Sequence, residues 1–216
     1  MFHMNNNMTA SLALVVLFAT ASAYAQNENA NPAQPDTGDP VAGKFKSQLC
    51  QGCHAEDGNS LSTLVPKLAG QNAAYISKQV RNFQTSMRKH AIMNDLATTV
   101  NNDELVDIAA YFASLNKMKG DGSAGNPIGK NLFLNGDPSR MIVSCANCHG
   151  TNGKGLEPNP SMVPVIGGQH KDYLLRQLVN FRKGDRNNSR DGVMNGMTKL
   201  LTDTELESLA EYISVQ

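Results

Sequence analysis

Tryptophan is absent from this 216-residue chain, and all aromatic residues together make up 6% of it. Small domains with cores this thin often lean on a metal, a disulfide or a bound cofactor. A surplus of charge is missing too: 19 basic side chains face 19 acidic ones. That balance argues against a nucleic-acid partner, because phosphate-binding domains carry a basic excess. No cysteine is left over, since all four come as two close pairs. Beyond the first 25 residues no apolar run is long enough to cross a bilayer. No stretch shows the apolar–polar alternation of a strand, so the expected fold is all-α.

The one apolar run lies at the start. Residues 10–19 (ASLALVVLFA) have the length of a signal-peptide core, and Ala23-Tyr24-Ala25 supplies the small residues read at cleavage. Cleavage is therefore expected after Ala25, with export to the periplasm. The segment before the run lacks Lys and Arg. Retention as an anchor is the alternative, but a span needs about 20 apolar residues. Residues 26–40 are polar and proline-rich and read as a disordered leader. The Gly-rich stretch 116–128 contains an expected interdomain linker at 119–128. The domains on either side run from 41 to 118 and from 129 to 216.

These two domains are copies of one another. At a constant offset of 98, Val65, Pro66, Gly70, Gln71, Tyr75, Gln79, Asn82 and Phe83 recur as Val163, Pro164, Gly168, Gln169, Tyr173, Gln177, Asn180 and Phe181. Both segments have helical periodicity, with Tyr75, Ile76, Gln79, Val80 and Phe83 on one face. Each copy closes with another amphipathic helix. Thr202-x-x-Glu205 reads as a capping box for the second, and Asn101-x-x-Glu104 is its near copy in the first.

The cysteines carry the chemistry. Cys50-Gln51-Gly52-Cys53-His54 and Cys145-Ala146-Asn147-Cys148-His149 are both C-x-x-C-H, the attachment signature of c-type haem. Thiols three residues apart share a helix face and reach the two vinyl groups of one porphyrin. The imidazole one residue later addresses the iron from the same side. A redox dithiol would not need the adjacent histidine or a second copy. A four-cysteine zinc site would leave both histidines without a role. Two covalently bound haem c groups are therefore expected, one per domain, with His54 and His149 as axial ligands.

The sixth ligand follows from the repeat. Aligning Glu104-Leu105 on Glu205-Leu206 sets an offset of 101, and there Met93-Asn94 pairs with Met194-Asn195. His90 and His170 have no histidine counterpart in the other copy, and Met197 corresponds to Leu96. Met93 and Met194 are accordingly expected on the two irons. Met87, Met118, Met141 and Met162 are expected as core gap-fillers. His/Met ligation favours ferrous iron and raises the potential. It also leaves no open position for a substrate, which points to a carrier rather than an enzyme. A dihaem peroxidase, with His90 as its acid–base group, is the catalytic alternative. A cytochrome subunit docked on a dehydrogenase or oxidase is a third reading.

Supporting roles are expected at matched positions. The carbonyls of Pro66 and Pro164 are candidate acceptors for the ligand imidazoles. Tyr75, Tyr173 and the paired Gln and Asn are expected either at the haem propionates or between the domains. The basic clusters Arg81, Arg88, Lys89 and Arg176, Arg182, Lys183, Arg186, Arg190 read as solvated helix faces.

Taken in order, these motifs resemble the cytochrome c4 family. The first half has C-x-x-C-H, then Asp57-Gly58-Asn59-Ser60, Pro66-Lys67-Leu68-Ala69-Gly70-Gln71 and a Tyr-x-x-x-Gln helix. The second has Cys148-His149-Gly150-x-Asn152-Gly153-x-Gly155 and Ile166-Gly167-Gly168-Gln169-His170. The resemblance spans about residues 41–215. It implies two class I cytochrome c domains about a pseudo-twofold axis, with propionate edges facing across the interface and His/Met ligation. It implies redox partners: quinol–cytochrome c oxidoreductase or a dehydrogenase as donor, and a terminal haem–copper oxidase as acceptor. Peripheral association with the inner membrane is compatible with that role. Two departures stand out. Ala55 follows His54 where the family commonly has glycine, and the first half lacks a longer loop before Met93.

Overall fold

The computed structural model describes residue 1, residues 38–156 and residues 162–216. Residues 2–37, which hold the expected signal segment and most of the expected leader, lie outside them. Helices and loops account for the described residues, with no sheet; a single isolated bridge joins Asp137 and Ile142. The first half comprises α1 (Pro40–Lys46), α2 (Gln48–His54), α3 (Ala73–Gln84), α4 (Ala91–Ala97) and α5 (Asn102–Ser114). The second comprises α6 (Pro127–Asn135), α7 (Ala146–His149), α8 (Lys171–Lys183), α9 (Val193–Lys199) and α10 (Asp203–Ser214), with 3-10 turns at Pro138–Arg140 and Arg190–Gly192.

Local signals set the helix ends. The Asp39 carboxylate accepts from the Val41 N–H at 2.8 Å, and Pro40 occupies the first turn of α1, where its missing N–H costs nothing. Residues 39 and 40, expected in the leader, therefore begin the fold. The Asp39 N–H also donates to the Asp107 carboxylate at 2.7 Å, which ties α1 to α5. Capping boxes open α5 and α10 at Asn101/Glu104 and Thr202/Glu205, as their spacing predicts. The expected linker is shorter than its composition suggests. Asn126 caps α6 and Pro127 starts it. The Gly120 and Gly122 N–H groups donate to the Gln216 and Val215 carbonyls at 2.7 and 2.9 Å, so this stretch is fastened rather than loose.

In each half the first helix crosses the last at a glycine. A Cβ on Gly43 would lie 1.9 Å from the Asp107 carbonyl oxygen, and one on Gly129 would lie 1.9 Å from that of Ser208. Only glycine permits so close an approach of two backbones. Beside these crossings Tyr111 packs on Phe112 and Phe133 on Tyr212, with ring centroids 5.1 and 5.5 Å apart. The first core gathers Ile76, Ile108, Ala109, Tyr111 and Phe112. The second gathers Leu132, Phe133, Leu174, Leu206, Leu209 and their neighbours. Ala69, Met118 and Val165 form a small cluster that joins the halves.

Met118 is buried and fills a gap as expected, but Met87, Met141 and Met162 are 62%, 77% and 49% exposed. They lie in loops, where no helix face carries them inward.

Candidate functional site

Helix α2 carries Cys50, Cys53 and His54. Cys145 caps α7, which carries Cys148 and His149. Both imidazoles are buried. His54 Nδ1–H donates to the Pro66 carbonyl at 2.8 Å, and His149 Nδ1–H to the Pro164 carbonyl at 3.0 Å. Those are the two acceptors that the repeat singles out. Burial lowers the pKa of both rings against the opposing pull of the proline carbonyls, so both are neutral. A neutral ring that donates through Nδ1 keeps the Nε2 lone pair for a metal. None of the four cysteines is in a disulfide; Cys53 and Cys148 are exposed, while Cys50 and Cys145 are half-buried. Burial raises the Cys50 thiol and pushes that of Cys145 up to about 11. A redox dithiol needs the opposite, a stabilised thiolate. Among the described residues no group of three or more His, Cys, Asp or Glu is gathered so as to hold a metal ion.

A cleft of about 410 Å3 opens beside α2 and is lined by Cys50, Cys53, His54 and Met93 together with apolar residues such as Ile76 and Phe83. Met93 is half-buried on α4, and Met194 is half-buried on α9. The residue after each methionine anchors its helix in the same way. Asn94 Nδ2 donates to the Phe83 and Arg88 carbonyls at 2.6 and 3.0 Å, and Asn195 Nδ2 to those of Phe181 and Arg186 at 2.7 and 2.8 Å. The change of offset from 98 to 101 has a structural cause. The second half inserts the three-residue turn Arg190–Gly192, with Asp191 and Gly192 both at positive φ. His90 is exposed and its Nδ1 accepts from the Met93 N–H at 3.4 Å, so it caps α4. His170 Nε2–H donates across the halves to the Ser60 carbonyl at 2.9 Å.

The chain bends alike after each histidine. Ala55 has φ 64° and ψ 159°, and Gly150 has φ 78° and ψ 156°.

Tyr75, Tyr173, Gln79, Gln177 and Asn82 take the interdomain alternative: all hydrogen-bond across the halves. Their partners include two arginines. Arg88 and Arg186 are only 9% and 6% exposed, which corrects the solvated-face reading for these two residues. Each guanidinium instead stacks on the ring of Phe83 or Phe181, 4.8 and 4.4 Å from the centroid. The sequence carried a signal for them. Arg88 and Arg186 continue the 98-residue offset five positions beyond Phe83 and Phe181. Burial pushes the Tyr75 hydroxyl up in pKa, and the guanidiniums of Arg186 and Arg88 outweigh it, leaving the hydroxyl below the ordinary tyrosine value.

Paired thiols, a neutral buried imidazole and an apolar cleft suit a covalently held porphyrin. Two helical halves, each with a C-x-x-C-H helix, define a dihaem c-type cytochrome built from two class I cytochrome c domains. The Cytochrome c family profile matches residues 128–215. The cytochrome c4 of Thiocapsa roseopersicina is 36% identical over 186 residues, covering 84% of this chain and 94% of the relative. That of Pseudomonas aeruginosa is 36% identical over 179 residues, covering 82% and 88%. The crystal structure of reduced recombinant cytochrome c4 from Pseudomonas stutzeri superposes with a TM-score of 0.76 at 33% identity, covering 82% of this chain and 98% of that one. The chain belongs to the cytochrome c4 family. It binds two haem c groups covalently and acts in electron transfer.

Proposed function

We propose that this chain is a periplasmic carrier of single electrons, with a closed His/Met iron site in each domain. Cys50 and Cys53 hold one haem and Cys145 and Cys148 the other. His54 and Met93 ligate the first iron, and His149 and Met194 the second. The domains run over 41–118 and 129–216, the first extended at the front by Asp39 and Pro40 and the second by Asn126, Pro127 and Ile128. The observation that carries this reading is the paired geometry of His54 on Pro66 and His149 on Pro164, with Met93 lining the same cleft as His54.

When bound, haem supplies a one-electron couple. The proline carbonyls fix each imidazole in its metal-binding tautomer and increase its basicity. The methionine thioethers favour the reduced state and keep the potential high. The apolar walls exclude water. His and Met would hold each iron, and electrons would enter and leave at the outer face, where Cys53 and Cys148 are exposed.

The signal segment expected at 1–25 supports export. The expected donors are quinol–cytochrome c oxidoreductase or a dehydrogenase, and the expected acceptor is a terminal oxidase. Cyanide-sensitive oxidation of the reduced protein by inner-membrane vesicles tests that direction.

The ligand assignment is tested by Met194→Ala. Two haems per chain by pyridine haemochrome, loss of half the red methionine–iron charge-transfer band, and a lower potential for one haem are expected. An intact band with unchanged potentials would remove Met194 from the iron.

A further inference from the structure

Arg88 and Arg186 bring two positive charges into the interface, and every acceptor they reach is neutral. Arg88 donates to Gln79 Oε1 of its own domain at 2.9 Å, then across the interface to the Tyr173 hydroxyl and Gln177 Oε1, both at 2.9 Å. Arg186 mirrors it, donating to Gln177 Oε1 of its own domain at 2.8 Å and across to the Tyr75 hydroxyl and Gln79 Oε1 at 3.0 and 3.2 Å. A further bond to Asn188 Oδ1 at 2.9 Å holds its Nε.

Two consequences follow. Both guanidiniums share the same two amide oxygens, so two like charges stand side by side away from water. Burying a charge without a counter-charge is costly, and a like-charged neighbour adds to the cost. Both arginines also line the cleft that contains Cys50, His54 and Met93. A group entering that cleft with carboxylates would supply the missing negative charge, and planar guanidiniums suit carboxylates.

We infer that Arg88 and Arg186 form one cationic pair that receives haem carboxylates, and that each domain sets the other's haem potential by holding its arginine. Tyr173 acts through Arg88 on the first haem, and Tyr75 acts through Arg186 on the second. The tyrosines are positioning residues. A fixed cation near an iron disfavours the oxidised state, which carries one more positive charge, so loosening the arginine lowers the potential. This inference rests on the proposed haem sites.

The test is a redox titration of the holoprotein with the two haems resolved by the paramagnetic NMR shifts of their methyl groups. Two haems per chain and a methionine–iron band in the wild type establish the sites; the variant potentials then decide the inference. Arg88→Gln is expected to lower the reduction equilibrium constant of the first haem about tenfold, the effect of one charge at an effective dielectric near 20, which is about 59 mV for one electron. Tyr173→Phe should lower the same first-domain haem by a smaller factor, and Tyr75→Phe the second-domain haem. Combined with Arg88→Gln, Tyr173→Phe should add nothing, because its effect runs through the arginine. Arg88→Lys, which keeps the charge, should recover part of the potential lost in Arg88→Gln. A Tyr173→Phe shift confined to its own domain, no shift at all, or full additivity with Arg88→Gln would overturn the inference.

Discussion

Ala55 offers a sharp test of backbone strain beside a cofactor site. Its φ of 64° and ψ of 159° fall in a region that only glycine populates freely. A residue with a Cβ stores about 1–3 kcal/mol there. Replacing it with glycine releases that strain but gives the unfolded chain more freedom, which costs about 0.5–1 kcal/mol. Ala55→Gly should therefore stabilise the protein by about 1 kcal/mol, which for a unit of this size raises Tm by roughly 2–4 °C. Thermal unfolding followed by far-UV circular dichroism reads the change. The visible spectrum should not move, because Cys53 and His54 are untouched. The reciprocal change makes the comparison decisive. Gly150 has the same bend, and a Cβ there would lie 2.3 Å from the Gly155 carbonyl oxygen. Gly155 is itself fixed by its N–H bond to the His149 carbonyl at 2.8 Å. Strain and clash together should cost Gly150→Ala about 3 kcal/mol or more. An unchanged or lower Tm for Ala55→Gly would refute the argument that glycine suits both bends.

Other expectations follow from the same geometry. Gly43→Ala and Gly129→Ala each force a methyl group into a helix crossing, so each should lose about 3 kcal/mol in urea unfolding; a loss below about 0.5 kcal/mol would mean that the crossings can open at little cost. The Asp137 carboxyl is held down at about 2 by the Ser139 hydroxyl and then by Arg140. An acid with a depressed folded pKa contributes stability above its ordinary value and loses it as pH falls through the folded one. The second domain should therefore lose stability between about pH 4 and pH 2, and Asp137→Asn should flatten that fall. An identical acid profile for the variant would exclude Asp137 from it.

The sequence was most legible where a feature is local. C-x-x-C-H, the two capping boxes and the prolines that accept from the histidines each depend on residues within about one helix or one loop, and the structure places them accordingly. Loops were less legible, because helical periodicity says nothing about where a loop side chain points. Met87 and Met141 therefore face solvent, whereas Met118 is buried by the junction between the halves.

The arginines were hardest to place, and the reason is physical. On its own helix or loop a lone Arg is a surface residue by default; the opposite domain supplies part of what makes burial tolerable. Tyr173 and Gln177 hold Arg88, and Tyr75 and Gln79 hold Arg186. Such a swap is what duplication around a twofold relation produces, since each contact made by one copy is returned by the other. It also explains why Tyr, Gln, Asn and Arg recur in both copies while their neighbours drift. These residues face the other copy rather than their own core, so a change in one disturbs contacts in both domains. The symmetry breaks at the matched pair His90 and Asn188. Asn188 turns inward to Gln79 and Asn82 at 2.9 and 2.7 Å, whereas His90 stays outside and caps α4. The first domain thus keeps its methionine helix under a titratable cap, and the second ties the equivalent position into the interface. Two halves that began as copies thus make different contacts beside their paired arginines.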